Sequence, residues 1–74
     1  MNSKITYSPL FKTLDEKGIF PTDVGRALGI SSATMAKFKK GETVTLKTII
    51  QICDFLDVPI EKVVQMAKHY NSGE

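Results

Sequence analysis

The sequence contains few of the residue types that build disulfides, metal centres and membrane spans. It has one cysteine, one histidine and no tryptophan among its 74 residues. Cys53 has no partner for an internal disulfide, and one His with one Cys is too little for a structural metal site, so we expect no metal and no cofactor. No apolar run approaches the roughly 20 residues of a membrane span, and the N-terminus lacks a signal-peptide apolar region. We therefore expect a soluble cytoplasmic protein.

The chain is too short for an elaborate active site. A chain of this length buries only about 60% of the surface that its unfolded form exposes, which leaves little room for a substrate cleft. The sequence shows no pairing of a nucleophile with a base and no glycine-rich phosphate loop, so we expect no enzyme. Residues 1–74 are predicted to form one domain, with its core at about residues 8–70, an extended arm at 1–7 and a frayed tail at 71–74.

Positive charge is concentrated in the first half of the chain. Residues 1–40 carry seven lysines and arginines against three acidic residues, whereas residues 41–74 carry three against five. The two parts therefore have net charges of +4 and −2 within an overall +2. A basic half beside an acidic half favours one surface that faces a polyanion.

The pattern of caps and apolar residues predicts a compact all-α domain of five helices. Proline near each start and glycine after each end indicate helices at about residues 9–17, with Ser8 as N-cap, and at 21–28. Ser31 is predicted to cap a third helix from Ser32 to about Lys39, which Gly41 closes. Thr45 is predicted to cap the fourth.

The last two helices are predicted from apolar periodicity. The fourth is expected to bury Leu46, Ile49, Ile50, Cys53 and Leu56. The fifth, after Pro59, is expected to run toward Tyr70 with Ile60, Val63, Val64 and Ala67 on one face. Ile5 and Tyr7 alternate with polar residues as in a strand, but so short a segment is interpreted as an arm.

The segment from Pro21 to Gly41, PTDVGRALGISSATMAKFKKG, resembles the lambda-repressor-like, Cro-type (XRE family) helix-turn-helix. Gly25 is the small residue where two short helices cross, and Gly29 is the turn residue that tolerates positive φ. The apolar positions of the motif are occupied by Val24, Leu28, Ile30, Met35 and Phe38. The resemblance continues through Leu46–Val64. It implies that the third helix enters the major groove of double-stranded DNA.

A helical wheel predicts which face of the third helix would meet DNA. At about 100° per residue, Met35 and Phe38 lie opposite an arc that includes Ser32, Ala36 and Lys37. Serine can bond to base edges, alanine can pack on thymine methyls, and lysine can reach guanine or phosphate. Arg26 is interpreted as facing solvent or an acidic residue. The predicted DNA-binding residues are Thr22, Ser31, Ser32, Ala33, Thr34, Ala36, Lys37, Lys39, Lys40 and Thr43.

The resemblance implies a small transcriptional regulator, a repressor or autoregulator that occupies an operator. Because such domains commonly read two half-sites, we expect a homodimer, with Ile5, Tyr7, Met66 and Tyr70 as its candidate interface. The alternative is a protein-interaction module or an antitoxin-like protein that uses the same fold to bind a protein partner. RNA binding is disfavoured because no aromatic side chain is predicted on the exposed face.

Overall fold

The computed structural model describes residues 4–67, in which four α-helices lie between two short strands that pair antiparallel with each other. Within this range no helix is both long and apolar enough to cross a membrane. The elements are β1 (Lys4–Thr6), α1 (Ser8–Lys17), α2 (Pro21–Leu28), α3 (Ser32–Lys40), α4 (Leu46–Leu56), a 3₁₀ turn (Ile60–Lys62) and β2 (Gln65–Ala67).

The ends of the helices follow the local signals in the sequence. Ser31 caps α3 by accepting a hydrogen bond from the Thr34 N–H at 3.2 Å. Thr45 caps α4 in the same way through the Thr48 N–H, at 3.3 Å. Ser8 is not the cap of α1 but its first residue, and its own N–H donates to the Thr6 hydroxyl oxygen at 3.2 Å. Side-chain oxygens therefore satisfy N–H groups that the first turns leave free.

The prediction of a fifth helix is wrong. After Pro59 the chain makes one 3₁₀ turn and then becomes strand β2, which pairs with β1 in the register Ile5↔Met66. The apolar spacing from Ile60 onward is that of a helix, but the segment follows a proline and is rich in β-branched residues. Pairing with β1 supplies hydrogen bonds that local periodicity cannot reveal. Tyr70, at the predicted end of this helix, lies outside the described residues.

Residues 4–7 are part of the folded unit and do not form a separate arm. Ile5 packs on the core from β1, and Tyr7 is itself a core residue with 2% of its surface exposed. Tyr7 is therefore unavailable to a second subunit, which corrects part of the predicted dimer interface. Met66 is 57% exposed. The homodimer itself stays a prediction.

The core is formed by one side of each of the four α-helices, together with Tyr7 after β1 and Val63 after the 3₁₀ turn. Phe38, Ile49 and Leu56 are buried as predicted, but Leu46 and Ile50 are 69% and 56% exposed. The buried face of α4 is instead formed by Ile49, Ile52 and Leu56, the residues through which α4 packs on the rest of the core. Met35 and Cys53 are half-buried against this core. The buried residues are Tyr7, Leu10, Thr13, Leu14, Val24, Phe38, Ile49, Ile52, Leu56 and Val63.

Two side-chain hydrogen bonds tie distant segments to this core. The buried Thr13 hydroxyl donates to the Lys62 carbonyl oxygen at 2.9 Å, which joins α1 to the 3₁₀ turn. The Tyr7 hydroxyl donates to the Glu42 carbonyl oxygen at 2.7 Å, which joins the end of β1 to the loop after α3. Both donors are therefore satisfied, as buried polar groups must be.

Candidate nucleic-acid interface

The helices α2 and α3 approach each other closely at Gly25. Its buried Cα faces α3, and a Cβ there would lie 3.2 Å from the Met35 Cγ. The Ile30 N–H donates to the Gly25 carbonyl oxygen at 2.8 Å across the turn. Gly29 ends α2 with φ at 69°, in the left-handed region. The two glycines therefore have different roles. Gly25 leaves room for the Met35 side chain, and Gly29 adopts the positive φ that ends α2.

We expect opposite effects from alanine at these two glycines. Gly25→Ala should raise the free energy of unfolding by about 0.5 kcal/mol, because alanine favours the helix and the flexible Met35 side chain can yield by a few tenths of an ångström. Gly29→Ala should lower it by about 1 kcal/mol, because alanine is strained at positive φ although the space around it is open. Urea unfolding followed by circular dichroism measures both. A loss of stability in Gly25→Ala would show that Met35 cannot move.

The orientation of α3 is set by its apolar side. Phe38 is buried, and its ring meets the Tyr7 ring edge to face with centroids 4.6 Å apart. Met35 is half-buried beneath α2. The opposite side of the helix is therefore turned to solvent. There the exposed residues are Ser32, Ala33, Lys37 and Lys40, with Ala36 half-buried.

Three grooves surround this exposed face of α3. The first, the α2–α3 groove, has a volume of about 340 Å³ and is apolar at its base, where Ile30 and Met35 lie. Its rim carries polar and cationic side chains from both helices. These polar and cationic residues are Thr22, Arg26, Ser32 and Lys39, and the half-buried Ala36 also lines the groove.

The second, the lysine groove, lies at the C-terminal end of α3. Its lining includes Lys37 and Lys40 of α3, Thr43 of the following loop, and Lys4 of β1. The only acidic residue in the lining is Glu42. Its volume is about 590 Å³, and three of its lining side chains are cationic against one that is acidic.

The third, the cap groove, lies beside the N-terminus of α3. It is lined by Ser31, Thr34, Lys47 and residues of the turn after α2. The Ser31 hydroxyl donates to the Thr34 hydroxyl oxygen at 3.1 Å, so both groups already serve the helix cap. These two predicted DNA-binding residues therefore have a structural role in holding the first turn of α3.

The structure thus brings nine of the ten predicted site residues to the grooves, and the tenth, Ala33, is exposed at the start of α3. Their role in binding stays a prediction. Three cationic residues outside the predicted set, Lys4, Arg26 and Lys47, line the same grooves. Arg26 pairs with Asp23 at 3.8 Å on the surface of α2, as predicted. The exposed pair is weak and leaves Arg26 free to reach another anion.

Comparison with known proteins adds a family and a similar structure. The family model that describes the Cro/C1-type HTH DNA-binding domain matches residues 10–68. No curated protein sequence matches the chain. The crystal structure of the transcriptional regulator VanUg is similar, with a TM-score of 0.88 and 25% sequence identity, and the match covers 93% of this chain and 92% of that one.

Proposed function

Since the chain belongs to the Cro/C1-type helix-turn-helix family of DNA-binding domains, we propose that it regulates transcription by inserting α3 into the major groove of an operator. The similarity to a transcriptional regulator over nearly the whole of both chains supports this role. In the simplest form of the mechanism the bound domain excludes other proteins from the operator, which makes it a repressor or an autoregulator.

The observation that carries the proposal is the distribution of cations around the exposed face of α3. Arg26 and Lys39 line the groove on one side of this face, and Lys37 and Lys40 line the groove on the other. The walls of a DNA major groove are two phosphate backbones, one on each side of the inserted element. A helix flanked by cations on both sides matches that arrangement.

The small side chains between these cations suit contact with base edges. Ala33 and Ala36 offer methyl groups that can meet the methyl of thymine, and the Ser32 hydroxyl can donate or accept. None is a bidentate arginine, asparagine or glutamine. We therefore propose that direct reading of bases is modest, about 1–3 kcal/mol for the best base pair, and that the shape of the DNA supplies further selectivity.

The test of this proposal is the salt dependence of binding to a random-sequence duplex, followed by fluorescence anisotropy. If the three lysines of α3 each neutralise one phosphate, the wild-type affinity should fall about 40-fold between about 50 and 200 mM salt. In Lys37→Ala/Lys40→Ala the slope of log affinity against log salt should become smaller by about 2.

The control is the double variant Lys12→Ala/Lys17→Ala, which removes the same charge from exposed positions of α1. Its slope should stay near that of the wild type. If the folded wild type does not bind the duplex at low salt, the proposal is wrong and a protein partner becomes the better candidate. A loss of slope in both double variants would show that net charge alone, and not the face of α3, drives binding.

A further inference from the structure

Lys4 lies near the N-terminus of the chain but lines the lysine groove beside α3. It lies on β1, 33 residues before Lys37, yet both line the lysine groove together with Lys40. Lysines in the last turn of a helix are expected on other grounds, because they favour the negative end of the helix dipole. That explanation covers Lys37 and Lys40 but gives no reason for a third cation from a separate element.

The strand that carries Lys4 is fixed against α3 by several contacts. Tyr7, directly after β1, packs its ring on Phe38 of α3, and its hydroxyl donates to the Glu42 carbonyl oxygen. The Ile5 carbonyl oxygen lies within 3.6 Å of where a Cβ on Gly41 would be. On its other side β1 is paired with β2, in the register Lys4↔Ala67. The backbone at Lys4 is therefore held in place before any ligand arrives, which lowers the entropic cost of binding.

The charges of the lysine groove are not balanced within the described part of the chain. Glu42 lines the groove, but no carboxylate of residues 4–67 lies within 4.0 Å of the Lys4, Lys37 or Lys40 ammonium group. Three like charges around one concavity repel each other unless an anion lies between them. Thr43 adds a hydroxyl to the same lining. This is the chemistry of a phosphate site.

We propose that Lys4, beside Lys37 and Lys40, contacts the DNA backbone in the lysine groove and neutralises one phosphate more than α3 does alone, so that β1 extends the DNA interface beyond the helix-turn-helix. This inference rests on the proposed function, since it assumes that α3 lies in the major groove. The sheet between β1 and β2 then has a second role besides closing the core, because it presents Lys4 to the same backbone as the last turn of α3.

The test compares Lys4→Ala with Lys12→Ala, which removes one positive charge from an exposed position of α1 that lines a different concavity. Binding to a random-sequence duplex of about 20 base pairs is titrated at several salt concentrations. Lys4→Ala should reduce the slope of log affinity against log salt by about 1 and weaken binding about fivefold near 100 mM salt. Lys12→Ala should leave the slope unchanged, and Lys4→Arg should retain it.

The outcomes separate this inference from the proposed function. If the wild type binds with a steep salt dependence but Lys4→Ala keeps the wild-type slope, the phosphate site is wrong and DNA binding by α3 stands. If Lys12→Ala reduces the slope as much as Lys4→Ala, the effect comes from net charge and the site is also wrong. If the folded wild type does not bind the duplex, the proposed function fails, and the inference fails with it.

Discussion

Ala33→Glu is expected to abolish DNA binding while the protein stays folded. Ala33 is exposed in the first turn of α3 and contributes nothing to the core. If α3 enters the major groove, a carboxylate at this position is placed among base edges and phosphates, where it is repelled and loses its water. We expect the affinity for duplex DNA to fall more than 100-fold, or about 3 kcal/mol. Anisotropy titration at about 50 mM salt measures this loss.

The stability of Ala33→Glu should not fall together with its affinity for DNA. A carboxylate in the first turn of a helix interacts favourably with the helix dipole, so Ala33→Glu should unfold at the same urea concentration as the wild type or a slightly higher one. The matched control is Ala27→Glu, which makes the same substitution at an exposed position of α2 that lines none of the three grooves. It should bind DNA within about threefold of the wild type, as expected for one solvent-screened charge outside the grooves. Equal losses in both variants would contradict the orientation proposed for α3.

The four helices could be predicted because their signals are local. Ser31 and Thr45 act as caps where the sequence predicted caps, and Gly29 ends α2 in the left-handed conformation. A cap, a terminating glycine and an apolar stripe are all read within a few residues. The segment after Pro59 lacked such signals, and its structure depends on pairing with β1 about 60 residues earlier. No local pattern contains that partner.

The difference between local signals and long-range contacts also decided how much of the site could be predicted. The face of α3 was predictable because Met35 and Phe38 fix the rotation of the helix from within the segment itself. Lys4 was missed because it joins Lys37 and Lys40 only through the β1–β2 sheet and the contact of Tyr7 with Phe38. The one available signal was the excess of positive charge before residue 41, and it does not identify which lysines lie close together. Long-range contacts assemble this part of the surface.

The sequence also failed to predict how α4 is rotated about its axis. This rotation determines which substitution in α4 should destabilise the protein most. Ile50 and Ile52 are the same residue type two positions apart on one helix, but Ile50 is 56% exposed and Ile52 is fully buried. The spacing of Leu46, Ile49, Ile50, Cys53 and Leu56 predicted a buried face that included Ile50 and left out Ile52. Since α4 carries apolar residues on more than half of its circumference, periodicity alone did not fix which of them face the core.

Ile52→Ala should therefore destabilise the protein by about 3–4 kcal/mol, because it removes buried methyl groups and leaves a cavity. Ile50→Ala should cost less than about 1 kcal/mol, since its side chain is already largely in water. Urea unfolding followed by circular dichroism gives both values. In a domain this small a loss of about 4 kcal/mol can approach the whole stability, so Ile52→Val, expected to cost about 1 kcal/mol, provides a folded comparison. If Ile50→Ala were as damaging as Ile52→Ala, the rotation of α4 described here would be wrong, and the apolar face predicted from periodicity would be the one that packs on the core.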